Sequence, residues 1–253
     1  MLAVSDEVDE GLYADLGPVR CAEIVVACGD LPFDYLGYLM NGLDVPLVFV
    51  PGNHDPDLSG YRFSRAGLTL RAGMPARAPW PDGAVNADRD VVEVAGLCFA
   101  GLGGCRRYGD GPNQYSDRQF ARRAHALRRR ARWRRRHVDV LLTHAPPKGV
   151  GDGTDPVHQG FAALHGLVAA LQPTALLHGH VLPCDAQAPT AQATMAQATT
   201  AQATTAQATT GQHPTAQASA TRHSVGTLGR TAVCNVTGRH LLDIGPGGQC
   251  RAR

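Results

Sequence analysis

The stretch Pro46–Asp55, P-L-V-F-V-P-G-N-H-D, constrains the fold more than any other. Leu47, Val48, Phe49 and Val50 form a continuous apolar run closed by Pro51-Gly52. Such a run reads as a strand buried on both faces, which belongs inside a layered α/β sheet. Asn53, His54 and Asp55 follow at once, and all three are costly to bury. In open α/β sheets the loops at the carboxyl ends of strands are where ligands bind. Gly52 permits the tight turn that aims the next side chains into such a crevice. Asn offers a neutral oxygen, His an imidazole, and Asp a carboxylate that can orient the His. The same three residues could merely cap a helix, so the rest of the chain decides.

Two further strand candidates precede this one. Leu2–Ser5 runs into Asp6, and Glu23–Cys28 runs into Gly29-Asp30. Gly11–Ala22 can hold a short helix between them, and Phe33–Asn41 reads as a helix with Phe33, Leu36, Leu39 and Met40 on one side. This β-α-β-α-β order predicts a largely parallel sheet with its polar clusters along one edge. Asp90–Val94 and Leu97–Leu102 read as a hairpin around Ala95-Gly96. Gly101–Tyr115 reads as a loop over the site, in which Arg106, Arg107 and Tyr108 suit a phosphate. Val138–Thr143 delivers His144, which Ala145-Pro146-Pro147 holds in a loop. Thr174–Leu177 delivers His178-Gly179-His180. Asp155 and His158, ahead of a helix over Gly160–Leu171, are pocket-wall candidates, and Gly229–Val236 with Arg239–Ile244 read as a last strand pair.

S-D at 5–6, G-D at 29–30, G-N-H-D at 52–55, T-H at 143–144 and G-H at 179–180 thus follow in order, each after a hydrophobic strand. This pattern resembles the calcineurin-like metallophosphoesterase family, whose motifs are D-x-H, G-D, G-N-H-[DE], a lone H, and G-H-x-H. The resemblance spans Leu2 to about Leu182 and resumes at Gly229. It implies a four-layer α/β sandwich, two mixed sheets flanked by helices. It also implies hydrolysis of phosphate mono- or diesters by a metal-activated water, with a divalent transition metal (Mn, Fe or Zn) as cofactor. Asp30 corresponds to the bridging carboxylate. Asn53, His144 and His180 complete the second metal site, and Asp6 belongs to the first. His54 corresponds to the residue acting on the leaving group or the transition-state charge, with Asp55 orienting its ring.

Two positions depart from the family pattern. Val8 stands where D-x-H has its His, and Leu182 where G-H-x-H has its second His. Both losses fall on the first metal, which keeps Asp6 and the shared Asp30. Glu7, Asp9 and His178 are nearby substitutes, although strand alternation points Glu7 and His178 away. One ion held tightly, with a second bound weakly if at all, is therefore the expectation, on a small phosphorylated substrate. The alternative is a degenerate pseudoenzyme that acts as a metal- or polyanion-binding protein.

Ser116–His137 reads as a helix capped by Ser116, with Phe120, Ala124, Leu127 and Ala131 toward the sheet. It carries ten arginines between Arg118 and Arg136. Lys148 is the only lysine in 253 residues, so arginine preference is a property of the whole composition. A solvated outer face is favoured over a nucleic-acid patch. The net charge of +2 selects no partner. Residues 183–228 read as a low-complexity, disordered insertion, because 186–220 repeat A-Q-A-T-T-like pentads with almost no large apolar side chain. Residues 1–182 and 229–250 make up the folded domain. The seven scattered cysteines, with no leader sequence and no apolar run of membrane length, predict a cytoplasmic protein with reduced thiols.

Overall fold

The computed structural model describes residues 1–63, 68–182, 225–245 and 249–252. All of these belong to one compact unit formed by Met1–Pro189 and His223–Arg253. The expected insertion lies outside the described residues, except that Val225–Leu228 form a strand.

One six-stranded sheet contains β1 (Leu2–Ser5), β2 (Val25–Ala27), β3 (Leu47–Phe49) and β4 (Val85–Asn86), all parallel. The second contains β5 (Val91–Val94), β6 (Leu97–Leu102), β7 (Val140–Thr143), β8 (Ala175–His178), β9 (Val225–Leu228) and β10 (Thr231–Asn235), in the order β9-β10-β8-β7-β6-β5. Its four inner strands are parallel, and β5 and β9 close its edges antiparallel. β11 (Gly238–Gly245) and β12 (Gln249–Ala252) return to the first sheet beside β1.

Strand alternation builds the layers. Leu2, Val4, Val25, Ala27 and Phe49 face helix α1 (Phe33–Leu43), where they meet Tyr35, Leu36 and Leu39. Their neighbours Ala3, Val26, Val48 and Val50 face the other sheet and pack on Phe99, Val140, Leu142 and Leu177. The far side of the second sheet is covered by α2 (Asp117–Arg134) and α3 (Ala163–Leu171), which place Phe120, Leu127, Leu164 and Leu167 on Leu102, Leu141 and Leu176. Each fully buried Leu or Phe contributes about 1.5–3 kcal/mol, so these three apolar layers hold the sandwich together. The result is the expected four-layer α/β sandwich.

Ser116 caps α2 through a capping box with Gln119, and the four apolar positions read from its spacing are all buried. On one flank Arg123 pairs with Asp88, Arg130 and Arg134 with Asp90, and Arg136 with Glu93. The other helix-face arginines are exposed.

Two local expectations change. Gly11–Ala22 holds one helical turn, Gly11–Ala14, and a 3-10 turn, Gly17–Val19, because Gly17-Pro18 interrupts the helix. The last two strands do not pair with each other. β10 lies parallel to β8, whereas β11 lies antiparallel to β1 in the opposite sheet. The link through Val236, Thr237 and Gly238 (φ 81°) crosses between the sheets, which brings Thr237 to the strand-end edge.

Candidate metal centre

The ends of β1, β2, β3, β7, β8 and β10 meet at one edge. A cleft of ≈ 420 Å³ there is lined by Asp6, Asp30, Asn53, His54, Tyr108, His158, His180, Leu182 and Thr237, among others. Three residues that leave these strands have left-handed backbones: Asp6 (φ 62°), Asp30 (φ 58°) and His180 (φ 66°). A non-glycine residue in this region costs about 1–2 kcal/mol, and the turn it makes swings each side chain from the sheet into the cleft.

The glycines of the motifs are explained by crowding. A Cβ on Gly52 would strike the Asp30 carboxylate, and one on Gly179 would strike Ser5 and Asp6. On Gly29 (φ 98°) it would strike the Gly52 backbone and lie 2.9 Å from His144 Nδ1. Only glycine lets these strand ends approach so closely.

Asp30, His144 and His180 each present one ligand atom, and the three atoms lie within 4.8 Å of one another. His144 is fully buried. Its Nδ1 lies 2.7 Å from the Cys28 carbonyl, so Nδ1–H donates there and Nε2 faces the cluster. That Nε2 is 2.9 Å from Asn53 Oδ1 and 3.2 Å from Asp30 Oδ2. His180 Nε2 lies 3.0 Å from the Val157 carbonyl, leaving Nδ1 as its ligand atom. Asn53 Nδ2 donates to the Tyr108 hydroxyl (3.0 Å), which turns the carboxamide oxygen toward His144. Asp30, Asn53, His144 and His180 are thus brought together as expected. Two oxygens and two imidazole nitrogens suit a divalent transition ion.

The electrostatics agree. Burial pushes the His144 imidazole down, but its bond to Asp30 and the charges of Asp6 and Asp30 outweigh that and raise it to about 9. Burial likewise pushes Asp30 up, and the bond and charge of His144 more than offset it, so the carboxyl sits below its usual range. His180 falls to about 3, first through burial and then through the charge of His144. A carboxylate and a neutral imidazole therefore flank a cationic ring, and a divalent ion provides the same positive charge between the same atoms.

Asp6 borders this cluster. Its Oδ2 accepts from the backbone N–H of His180 (2.9 Å) and from Thr237 Oγ1 (3.5 Å). His54 is exposed at the cleft, and its backbone N–H donates to Asp30 Oδ1 (2.8 Å). Asp55 has a different task from the expected one. Its Oδ2 accepts from the backbone N–H groups of Gly52 (2.7 Å) and Asp30 (3.1 Å), so it braces the turn rather than the His54 ring.

None of the substitutes considered for the first site lines the cleft. Asp9 pairs with Arg239 and accepts from Gly11, while Glu7 is exposed away from the cleft lining. His178 is buried, with Nδ1 on the Gly179 carbonyl and Nε2 unpartnered. Val8 packs on the apolar layer beneath α1, whereas Leu182 lines the cleft. Arg106 and Arg107 do not reach the cleft: Arg106 is tied to Gln159 and Asp117, and Arg107 to Gln119. Thr237 was not anticipated; its only signal is a small polar residue directly after a strand.

The sequence matches the family model for calcineurin-like phosphoesterases over residues 8–184. The chain belongs to the calcineurin-like phosphoesterase family. Two solved structures share its fold at 14% identity. The first has a TM-score of 0.59 and aligns over 100% of this chain and 97% of its own. The second, TT1561 of Thermus thermophilus, has a TM-score of 0.55, with 100% and 96% of the two chains covered. No curated relative matches the sequence. Family membership supports a hydrolase of the metallophosphoesterase type, and these enzymes use divalent metals. Among the described residues no helix is long and apolar enough to cross a membrane.

Proposed function

We propose that the protein is a metal-dependent phosphoesterase that holds one divalent transition ion (Mn, Fe or Zn) tightly, through Asp30, Asn53, His144 and His180. The observation that carries this reading is the convergence of three ligand atoms within 4.8 Å at the end of three strands, with the Asn53 oxygen beside them. Bound there, the ion supplies charge neutralisation for a phosphoryl group and a more acidic water.

The protein's own residues supply the rest. Asp30 and Asn53 are fixed before any ligand arrives, one by His144 and the His54 amide, the other by Tyr108. His54 faces the cleft and contacts the phosphoryl or leaving group of a small mono- or diester. Asp55 keeps the turn closed, so that Asn53 and His54 do not drift. Asp6 and Asp30 alone furnish the first position, which binds an ion weakly or not at all.

Hydrolysis of p-nitrophenyl phosphate and bis(p-nitrophenyl) phosphate by chelator-stripped and Mn-, Fe- or Zn-reloaded protein tests this. Hydrolysis is expected only in the reloaded protein and is expected to vanish in His144→Ala. Activity that survives chelation or this substitution would sink the reading. The degenerate alternative draws support from Leu182 in the cleft lining. It predicts one bound ion and no turnover of either ester.

A further inference from the structure

We propose that the outer face of α2 binds single-stranded nucleic acid, with its arginines on the phosphates and Trp133 stacked on a base. This face lies outside the cleft and stands independently of the phosphoesterase reading. α2 (Asp117–Arg134) holds eight of the chain's 24 basic residues and one of its 22 acidic ones, which leaves 16 basic against 21 acidic residues elsewhere. A chain-wide preference for arginine over lysine explains the type of side chain but not this concentration.

The fold sorts these arginines into two groups. Arg123, Arg130 and Arg134 lie on the flank that meets Asp88 and Asp90. Arg118, Arg122, Arg128, Arg129 and Arg132 are exposed, and among the described residues none of them pairs with a carboxylate. At 3.6 residues per turn, Arg118, Arg122, Arg129 and Trp133 fall within about 60° of one another and run about 22 Å along the axis. They lie opposite the buried Phe120, Ala124, Leu127 and Ala131. Trp133 is 83% exposed, and among the described residues no other ring or cation lies over its face.

Guanidinium groups held side by side repel one another, and a row of phosphates relieves that repulsion while releasing its own counterions. A free aromatic ring beside them is a stacking surface for a base of any identity. An anionic membrane would need a row of apolar side chains on the same face, whereas Trp133 is the one large exposed apolar side chain of α2. A protein partner would need an apolar centre, which this face lacks as well. Bases in a duplex are stacked on each other and closed to the ring, so a single strand is the occupant.

The test is fluorescence anisotropy of a short fluorescein-labelled oligothymidylate titrated with the full-length protein, with melting temperatures measured on the same samples. The Kd is expected to rise about fiftyfold between about 50 and 200 mM salt, as for four neutralised phosphates. Replacing Arg122→Gln and Arg129→Gln together should raise the low-salt Kd about tenfold or more and flatten the salt slope by about 1.4. Trp133→Ala should raise it about tenfold and abolish the quenching of tryptophan fluorescence. That quenching reports Trp133, because Trp80, the other tryptophan, is buried. Arg130→Gln with Arg134→Gln makes the same charge change on the paired flank and should cost less than about threefold. Absence of binding at low salt would overturn the proposal. Equal losses in the two arginine pairs would do so too, since overall charge would then explain them. An unchanged Kd in Trp133→Ala would leave a polyanion surface that does not recognise bases. Tighter binding of a duplex, or of phosphatidylglycerol vesicles, would assign the face to another occupant. A fall in melting temperature in the Arg122 and Arg129 variant would show that these side chains serve the fold instead.

Discussion

Replacing Asp55 tests whether the metal-site turn is held by one buried carboxylate. Asp55 is 7% exposed and accepts two backbone N–H groups, from Gly52 and Asp30, at one oxygen. In Asp55→Ala the buried Gly52 N–H and the partly buried Asp30 N–H lose their partner, at a cost of about 1–3 kcal/mol each. Burial raises the Asp55 carboxyl, so its removal also relieves an unfavourable charge and returns part of that cost. A net loss of about 3 kcal/mol follows. For a domain of this size it lowers Tm by roughly 6–12 °C. Asp55→Asn keeps a carbonyl oxygen for at least one donor and should lose less than about 1 kcal/mol. Urea and thermal unfolding followed by circular dichroism measure both. If Ala unfolds like wild type, or Asn falls as far as Ala, the turn does not depend on this carboxylate. The Ala variant should also bind metal more weakly, because the bonds it breaks hold Asp30 and Gly52, the residue directly before Asn53.

Three further outcomes are expected. Tyr108→Phe frees the Asn53 carboxamide to rotate and should weaken metal affinity about tenfold with little change in Tm, since Tyr108 is 48% exposed; competition with a chelating dye reads this. Burial raises the Tyr35 phenol from 10.0 to about 12. A folded-state value above the unfolded one means its stabilisation is complete below about pH 10 and lost as pH rises toward 12. Urea midpoints should therefore fall over that range in wild type and fall less steeply in Tyr35→Phe. Leu182→His should move metal content from one ion per chain toward two, measured by elemental analysis. Leu182→Asn should not, and equal behaviour of the two would mean that position 182 does not face the ion.

Much of the fold was legible because each strand is a short apolar run ended by a polar motif. The layers, the strand-end edge and the helix α2 stripe all follow from periods of 2 and 3.6 residues. The family resemblance implied Asp30, Asn53, His144 and His180 as one shell, and the four side chains lie together at the strand ends. What stayed hidden depends on through-space partners. Nothing local says that Asp55 turns back to the amides of Gly52 and Asp30 instead of toward its neighbour His54. Arg106 and Arg107 look suited to a phosphate until Gln159, Asp117 and Gln119 are seen to hold them. The separation of β10 and β11 was unreadable for a similar reason. Two adjacent strands with a short link read as a hairpin, and only the register of β8 and β1 shows that each has another neighbour.

The two departures from the family pattern are physically different. Val8 is half-buried and packs against the layer that contains Leu2, Val4 and Leu12. An imidazole there would have to leave apolar neighbours or carry an unpaired polar atom among them. Leu182 is 42% exposed and lines the cleft. Position 8 is thus tied to an apolar layer, whereas position 182 borders the cleft. Asp6 has its own reason to stay even where the first ion is weak or missing. Its carboxylate accepts the backbone N–H of His180 and fixes a residue whose left-handed backbone would otherwise be free to relax. On this account Asp6 positions His180, one of the proposed ligands. Its presence in the sequence is then no sign that a second ion is bound.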